Sequence, residues 1–250
     1  TNMKNMKNMK NLKTLMVCGL MLLPSLSNAQ SCCQGKKEVK KCAKQEHVSS
    51  CGKTSCCEKT VAPTAACCQM NNEVIQTIMA RRSIRKYQDK PVEHEKLALI
   101  AKCGIHAPSA MNQQTWAVRV VENPDFIKGT TEIFKKENPE QVKRDANFKN
   151  MYRNAPNIII VACPKDDHYA TLNVGLMGEN MMLAAQSLGL GTCCLGSAAM
   201  FLQRSEAYKP YIAQLNLPAD YEICYILAVG YPDEAPAAKP RDESKIEFIK

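Results

Sequence analysis

The first seventy residues contain no arginine, and beyond them almost no net charge remains. Eleven lysines stand against three acids (Glu38, Glu46 and Glu58) in that first stretch, while the other 180 residues carry 22 basic and 21 acidic side chains. The overall charge of +9 therefore belongs to one end of the chain. A near-neutral globular part lacks the basic footprint that binding a phosphodiester backbone requires, which argues against a nucleic-acid partner. Familiar catalytic signatures are missing too. No G-x-S-x-G, Walker loop or G-x-G-x-x-G occurs, so a hydrolase elbow, a P-loop and a Rossmann turn are excluded. Gly189-x-Gly191 approaches a dinucleotide turn, but it closes a helical pattern instead of opening one. His94, His106 and His168 are scattered, and after residue 70 no Cys/His group has metal-site spacing.

What is present near the beginning has a definite order. Lys4, Lys7, Lys10 and Lys13 precede the apolar run Leu15–Leu26, which is too short to span a bilayer as a helix. Ser27-Asn28-Ala29 then places small residues at −3 and −1 of a cut after Ala29. Basic, apolar, small-x-small is the order of a secretory signal peptide, so residues 1–29 are expected to direct export, with a periplasmic destination. Membrane attachment is expected only if Cys32 is lipidated, and Ala-Gln-Ser-Cys32 lacks the leucine that usually starts such a site.

Residues 30–70 contain no aromatic residue and only three valines, Val39, Val48 and Val61. Such a segment cannot bury a core and is expected to be a flexible or stapled arm. Eight of the fourteen cysteines lie there, between Cys32 and Cys68. Neighbouring cysteines have Cα atoms about 3.8 Å apart, too close for usual disulfide geometry, so bridges would join different pairs. Two readings stay open: soft-metal capture by thiolates, Cu(I) or Zn(II), and an oxidised or disordered linker.

From Asn72 the texture changes to that of a folded domain covering residues 71–250. Val74, Ile75, Ile78 and Met79 form an apolar helical stripe that runs into Arg81-Arg82. Pro91 opens a second helix with Leu97, Ile100, Ala101 and Ile105 on its apolar face, ending before Pro108. Trp116–Val121 alternates and predicts a strand; residues 125–150 predict helix broken at Asn138-Pro139. Ile158–Ala162 and Tyr221–Val229 predict buried strands, and Cys193-Cys194 are expected as small buried hydrophobes in another. Leu172–Leu188 predicts a long helix, apolar on most sides, which suggests a subunit interface. Runs of helices between few strands indicate an α+β class.

Basic and amide groups remain at loop positions. Arg81, Arg82 and Arg85 surround Ser83, Lys239 and Arg241 flank Pro240, and "HAPSAMNQQTW" (His106–Trp116) fits no regular element. Guanidinium forks pair with phosphate oxygens, and amides suit the polar edge of a planar ring. Four segments, Arg81-Arg-Ser-Ile-Arg-Lys-Tyr87, Ala107-Pro-Ser-Ala-Met-Asn-Gln-Gln-Thr-Trp116, Gly189-Leu-Gly-Thr-Cys-Cys-Leu-Gly196 and Lys239-Pro-Arg241, together resemble the successive signatures of the FMN-dependent nitroreductase family. The resemblance covers roughly residues 72–250.

It implies a nitroreductase-like fold, with a central mixed sheet flanked by helices, in an intertwined homodimer. It also implies FMN as cofactor, NADH or NADPH as donor, and nitroaromatics, quinones or related acceptors reduced in a ping-pong scheme. Arg81, Lys239 and Arg241 would hold the phosphate, Ser83 the ribityl chain, and Arg82 would also belong to the cofactor-binding set. Arg85 would lie beside N1 and O2 of the ring. Pro108, Ser109, Ala110, Asn112 and Gln114 would reach the flavin of the other subunit, while Cys194, Leu195 and Gly196 would present backbone N–H to N5. No protein nucleophile is needed. Two other readings are a specialised flavin reaction such as reductive dehalogenation, and a thiol-rich metal-binding or redox protein with a secondary flavin domain.

Because residues 30–70 have no apolar set to offer a core, deleting them should leave folding and flavin content unchanged. Absorbance of the purified truncated protein checks this; a colourless product would contradict it.

Overall fold

The structure is a computed structural model that describes residues 72–250. The expected leader (1–29), the cysteine-rich arm (30–70) and Cys32 lie outside the described residues. Asn72 begins the fold by capping helix α1 (Glu73–Ala80), its side-chain oxygen accepting from the N–H groups of Val74 and Ile75. No residue of α1 is buried, so the stripe Val74, Ile75, Ile78 and Met79 faces away from the core.

Helix α2 (His94–Ile105) starts three residues after Pro91, because Glu93 is still extended at φ −61, ψ 140. Its buried positions are Leu97, Ile100 and Gly104; Ile105, expected on that face, is exposed. Strand β1 (Ala117–Val121), helices α3 (Pro124–Glu137) and α4 (Pro139–Lys143), and strand β2 (Asn157–Pro164) follow, but the helix expected to run to residue 150 stops at Lys143, and residues 144–150 form turns. Helix α5 (Ala170–Ser187) ends at Gly189, whose φ of 73° is the left-handed turn a glycine accepts. Strand β3 (Gly191–Leu195) passes directly into α6 (Gly196–Arg204), then α7 (Lys209–Gln214) and β4 (Tyr221–Gly230). Helices α6 and α7 have no counterpart in the sequence reading. Each is too short for a helical period to stand out.

The sheet order is β1-β2-β4-β3, and every neighbouring pair is antiparallel. The mixed character expected from the resemblance is reduced to one parallel bridge, Ser83 with Thr192. Strand β2 is buried at every position but Pro164 because both sheet faces are covered. On one face Ile158, Ile160 and Ile226 pack with Phe126, Tyr152, Leu202 and Tyr208; on the other Ile159, Val161 and Leu227 pack with Leu97, Ile100, Met177 and Met181. This two-sided burial explains why β2 reads as a continuous apolar run.

Two tyrosines in the first cluster differ in one respect. The Tyr152 hydroxyl meets Thr130 Oγ1 at 2.9 Å, whereas the Tyr208 hydroxyl is buried with no hydrogen-bond partner among the described residues. Tyr152→Phe should therefore lower unfolding free energy by about 0.5–1.5 kcal/mol, while Tyr208→Phe should leave it unchanged or raise it. Denaturant titration of both variants checks this, and equal losses would contradict it.

Candidate functional site

The arginine-bearing segment after α1 is held as a near-strand along the sheet. Ile84 donates its N–H to Thr192 O at 2.9 Å, Gln88 to Tyr231 O at 2.9 Å, and Asp233 to Lys86 O at 2.9 Å. Ile84 and Tyr87 are the buried anchors, and the Tyr87 hydroxyl donates to Ile84 O at 2.7 Å. Gly191 permits this approach, since a Cβ there would lie 2.7 Å from Ile84 Cγ1. The segment 81–85 and the strand 191–195 are thereby brought side by side.

Each basic residue of that segment then has its own setting. Arg81 Nε contacts Glu179 Oε1 of α5 at 3.2 Å, which orients the guanidinium while leaving its other nitrogens. Arg82 folds back onto α1, donating to Met79 O at 2.6 Å and Arg81 O at 2.8 Å. These are carbonyls of the helix's last turn and the residue after it, so Arg82 serves as a C-terminal cap. Ser83 accepts at its carbonyl from Arg85 Nη1 at 3.2 Å, and Arg85 N donates to Glu234 Oε1 at 2.5 Å. The Arg85 side chain is otherwise exposed. Arg85 and Arg153 both act on Cys193, but burial dominates and pushes that thiol above its ordinary range.

Where β3 becomes α6, Leu195 occupies the cap position with φ −116, ψ 87 and no side-chain cap bond. The first N–H groups of α6 therefore lack a side-chain acceptor, the situation that suits an incoming anion or ring acceptor. Gly196 has open space where a Cβ would be. Cys193 is buried as expected, whereas Cys194 is exposed, because successive residues of an edge strand point to opposite faces.

The loop 106–116 is built with unusual backbone. A 3₁₀ turn spans Ala110–Asn112, and Met111, Asn112 and Gln114 have φ of 51°, 54° and 52°. Left-handed non-glycine residues are uncommon and need support. Ser109 Oγ accepts from Gln114 N at 3.0 Å, Ala110 N donates to Asn173 Oδ1 at 3.1 Å, and Thr115 Oγ1 donates to Asp167 Oδ2 at 2.8 Å. Ser109 and Ala110 thus shape the loop within the protomer. Pro108, Asn112 and Gln114 stay exposed, with Met111 at 80 %. The loop leans on the beginning of α5, not on the Arg81–Arg85 segment.

Lys239 and Arg241 lie exposed in the final segment, and no hydrogen bond joins them to Arg81–Arg85 among the described residues. Glu179, Glu234, Asn173 and Arg153 were not legible as site neighbours, because each is distant in sequence from what it touches. Arg153 also lines a cavity of about 460 Å³ beside Leu195 and Ser197. Its wall includes Phe148 and Phe201, which stack on and edge Phe134 at centroid distances of 5.8 and 5.0 Å. Such a volume suits a small planar molecule.

The chain is similar to several known proteins. An Archaeoglobus fulgidus protein named for NADH dehydrogenase or NAD(P)H nitroreductase is 31% identical over 167 residues, 65% of this chain and 87% of the relative. The NADPH-flavin oxidoreductase of Vibrio harveyi is 29% identical over 187 residues, 68% of this chain and 70% of the relative. An iodotyrosine deiodinase of Thermotoga neapolitana is 25% identical over 181 residues, 67% and 93% of the two chains. Among solved structures, a nitroreductase with bound FMN from Bacteroides fragilis aligns with a TM-score of 0.63 at 27% identity, covering 72% of this chain and all of that one. The family profile ends before Lys239 and Arg241, whose expected role therefore rests on the tail motif alone. That profile spans residues 78–231, which take in the arginine segment, the 106–116 loop and the β3–α6 turn, and the chain belongs to the Nitroreductase family.

Proposed function

We propose that the protein is an FMN-dependent oxidoreductase that takes hydride from NADH or NADPH and delivers it to a small planar acceptor, a nitroaromatic or a quinone. The observation that carries this reading is the fixing of Arg81–Arg85 alongside β3, where that strand opens into the uncapped start of α6. Cations, main-chain donors and exposed amides are the donor set that a phosphate-bearing planar ring requires, so the residues fit FMN. Bound FMN supplies a hydride-accepting ring whose reduced form carries negative charge along its N1–C2=O edge.

This chain's residues would then divide the work. Arg81, steadied by Glu179, and Arg241 with Lys239 hold the phosphate. Ser83 borders the ribityl chain. Arg85, whose main chain is fixed by Glu234, places a cation at the ring edge where negative charge develops. Gly196 and its neighbours present N–H groups to N5. Arg82 is assigned to capping α1 rather than to the cofactor. The cavity beside Leu195 and Ser197 gives donor and acceptor room in turn, the requirement of a ping-pong scheme. A dehalogenating reaction is the second reading, favoured by the deiodinase relative.

The same reading includes a homodimer. The exposed apolar residues of α1, Leu172 and Leu176 of α5, Met111 of the loop and Phe248 of the tail are the surface such a partner would cover. A partner covering them would also receive the exposed end of the 106–116 loop. Export to the periplasm is part of the proposal and follows from the leader pattern. An enzyme there needs a supply of reductant outside the cytoplasm.

Three results are expected. Arg241→Ala should weaken FMN binding by about one to two orders of magnitude, since a charge-assisted contact contributes about 1.5–3 kcal/mol. Arg85→Ala should instead lower the FMN midpoint potential and slow hydride uptake, with a smaller effect on affinity. Fluorescence titration and spectroelectrochemistry separate the two; an unshifted potential in Arg85→Ala would remove its assigned role. Ile78→Glu, on the unpartnered face of α1, should yield a folded monomer with reduced flavin content. Light scattering with absorbance checks it, and a flavin-loaded monomer would contradict the dimeric site.

A further inference from the structure

We propose that Cys163 and Cys224 are a redox pair that closes into a disulfide joining β2 to β4. Their sulfur atoms stand 2.7 Å apart, and neither is bonded to another cysteine. That is longer than the covalent distance of about 2.05 Å and closer than two unbonded sulfurs ordinarily approach. The two residues are 61 positions apart in sequence, and their meeting depends on one irregularity in the sheet.

Along β2 and β4 the register runs regularly to Val161 opposite Tyr225, then shifts so that Ala162 faces Ile223 and Cys163 faces Glu222. Cys224 is the extra residue of this bulge and has no partner across the ladder. A bulge re-aims a side chain, and here it leaves Cys224 and Tyr225 packed on the same side of the sheet. Cys163 is buried on that side as well. Without the bulge, strict alternation would turn Cys224 to the opposite face. The arrangement is held from outside by Gln203, whose side chain donates to Ile223 O and accepts from Ile223 N, both at 2.9 Å. Tyr225 anchors the other side through its hydroxyl, which donates to Val174 O at 2.6 Å. By contrast, the consecutive Cys193 and Cys194 of β3 point to opposite faces and cannot meet.

The reaction balances as thiol–disulfide exchange with a small-molecule disulfide as oxidant. Cys224, the more exposed of the two, attacks one sulfur of that oxidant, forms a mixed disulfide and expels the first leaving thiol. Cys163 then attacks Cys224 Sγ and expels the second. The two cysteines give up two electrons to the oxidant, and their two protons finish on the two leaving thiols. Burial pushes both thiols above their ordinary range, so thiolate is scarce and closure belongs to the minutes-to-hours class of uncatalysed exchange. The pair is thus a slow structural couple, independent of whether the flavin assignment holds.

Peptide mapping of the full chain tests this directly. Trypsin releases residues 154–165 and 205–241, each containing a single cysteine, Cys163 and Cys224 respectively. After incubation with oxidised glutathione and blocking of free thiols, these two peptides should appear joined, and reduction should separate them. In Cys163→Ser the exchange should stop at a glutathione adduct on Cys224. The mapping uses the unsubstituted chain, so it stands whether or not a variant folds. Recovery of both cysteines as blocked thiols, as stable glutathione adducts, or joined chiefly to other cysteines would overturn the proposal.

Discussion

Ile84 donates its main-chain N–H to the Thr192 carbonyl, and the candidate site depends on the alignment this bond sets. It places Ser83 and Arg85 at the edge of β3 with Ile84 turned into the core between them. The Gln88–Tyr231 and Asp233–Lys86 bonds continue the pairing to the chain that leaves β4. Room for it comes from Gly191 under Ile84 and Gly230 under Tyr87, where a Cβ would lie 2.7 and 2.8 Å from those side chains. Any larger residue at either position would push the arginine segment off the sheet. The charge of Arg85 would then have no fixed position, and preorganised charge is what gives an electrostatic site its effect.

That near-strand works because the sheet beneath it is rigid. Strands β2 and β4 are central and covered on both faces, so their apolar side chains are removed from water regardless of parity. Helix α5 lies on one face and supplies polar groups to two different segments. Asn173, 1 % exposed, holds the 106–116 loop, and Glu179 holds Arg81. Six residues of helix separate them, a rise of about 9 Å. One helix thereby sets the spacing between Arg81 and the exposed loop 106–116.

Much of this framework was legible in the sequence because the local signals were strong. The β2 run, the long α5 pattern and the break at Asn138-Pro139 each reflect burial or backbone chemistry confined to neighbouring residues. Helices α6 and α7 were not legible, since nine and six residues give a helical period too little length to show. Arg81 and Arg85 stand out in the sequence through their motif, whereas the groups they contact, Glu179 and Glu234, do not. Arg82 is grouped with these arginines by its neighbours, and its Nη1 also donates to the carbonyls of Met79 and Arg81 at the end of α1. Ser109 Oγ accepts from Gln114 N and Ala110 N donates to Asn173, contacts within the protomer that no local pattern announces. Such pairings are decided by three-dimensional adjacency, which a one-dimensional pattern does not carry.

Backbone strain follows the same geography. Six described non-glycine residues have positive φ, and five of them, Met111, Asn112, Gln114, Arg153 and Asn154, border the loop or the cavity at the start of α6. Each such conformation costs on the order of 1–3 kcal/mol, less for asparagine, and persists only where surrounding contacts outweigh it. Asn154 shows how this is done: its Oδ1 accepts from the N–H groups of Lys149 and Asn150, and its Nδ2 donates to Asn147 O. The turn that results carries Arg153 to the cavity wall beside Leu195 and Ser197. A relaxed turn would satisfy the same backbone groups with water and leave that arginine without a defined direction. The strain is therefore concentrated in the exposed 106–116 loop and at the cavity wall, and the doubly buried sheet is what sustains it.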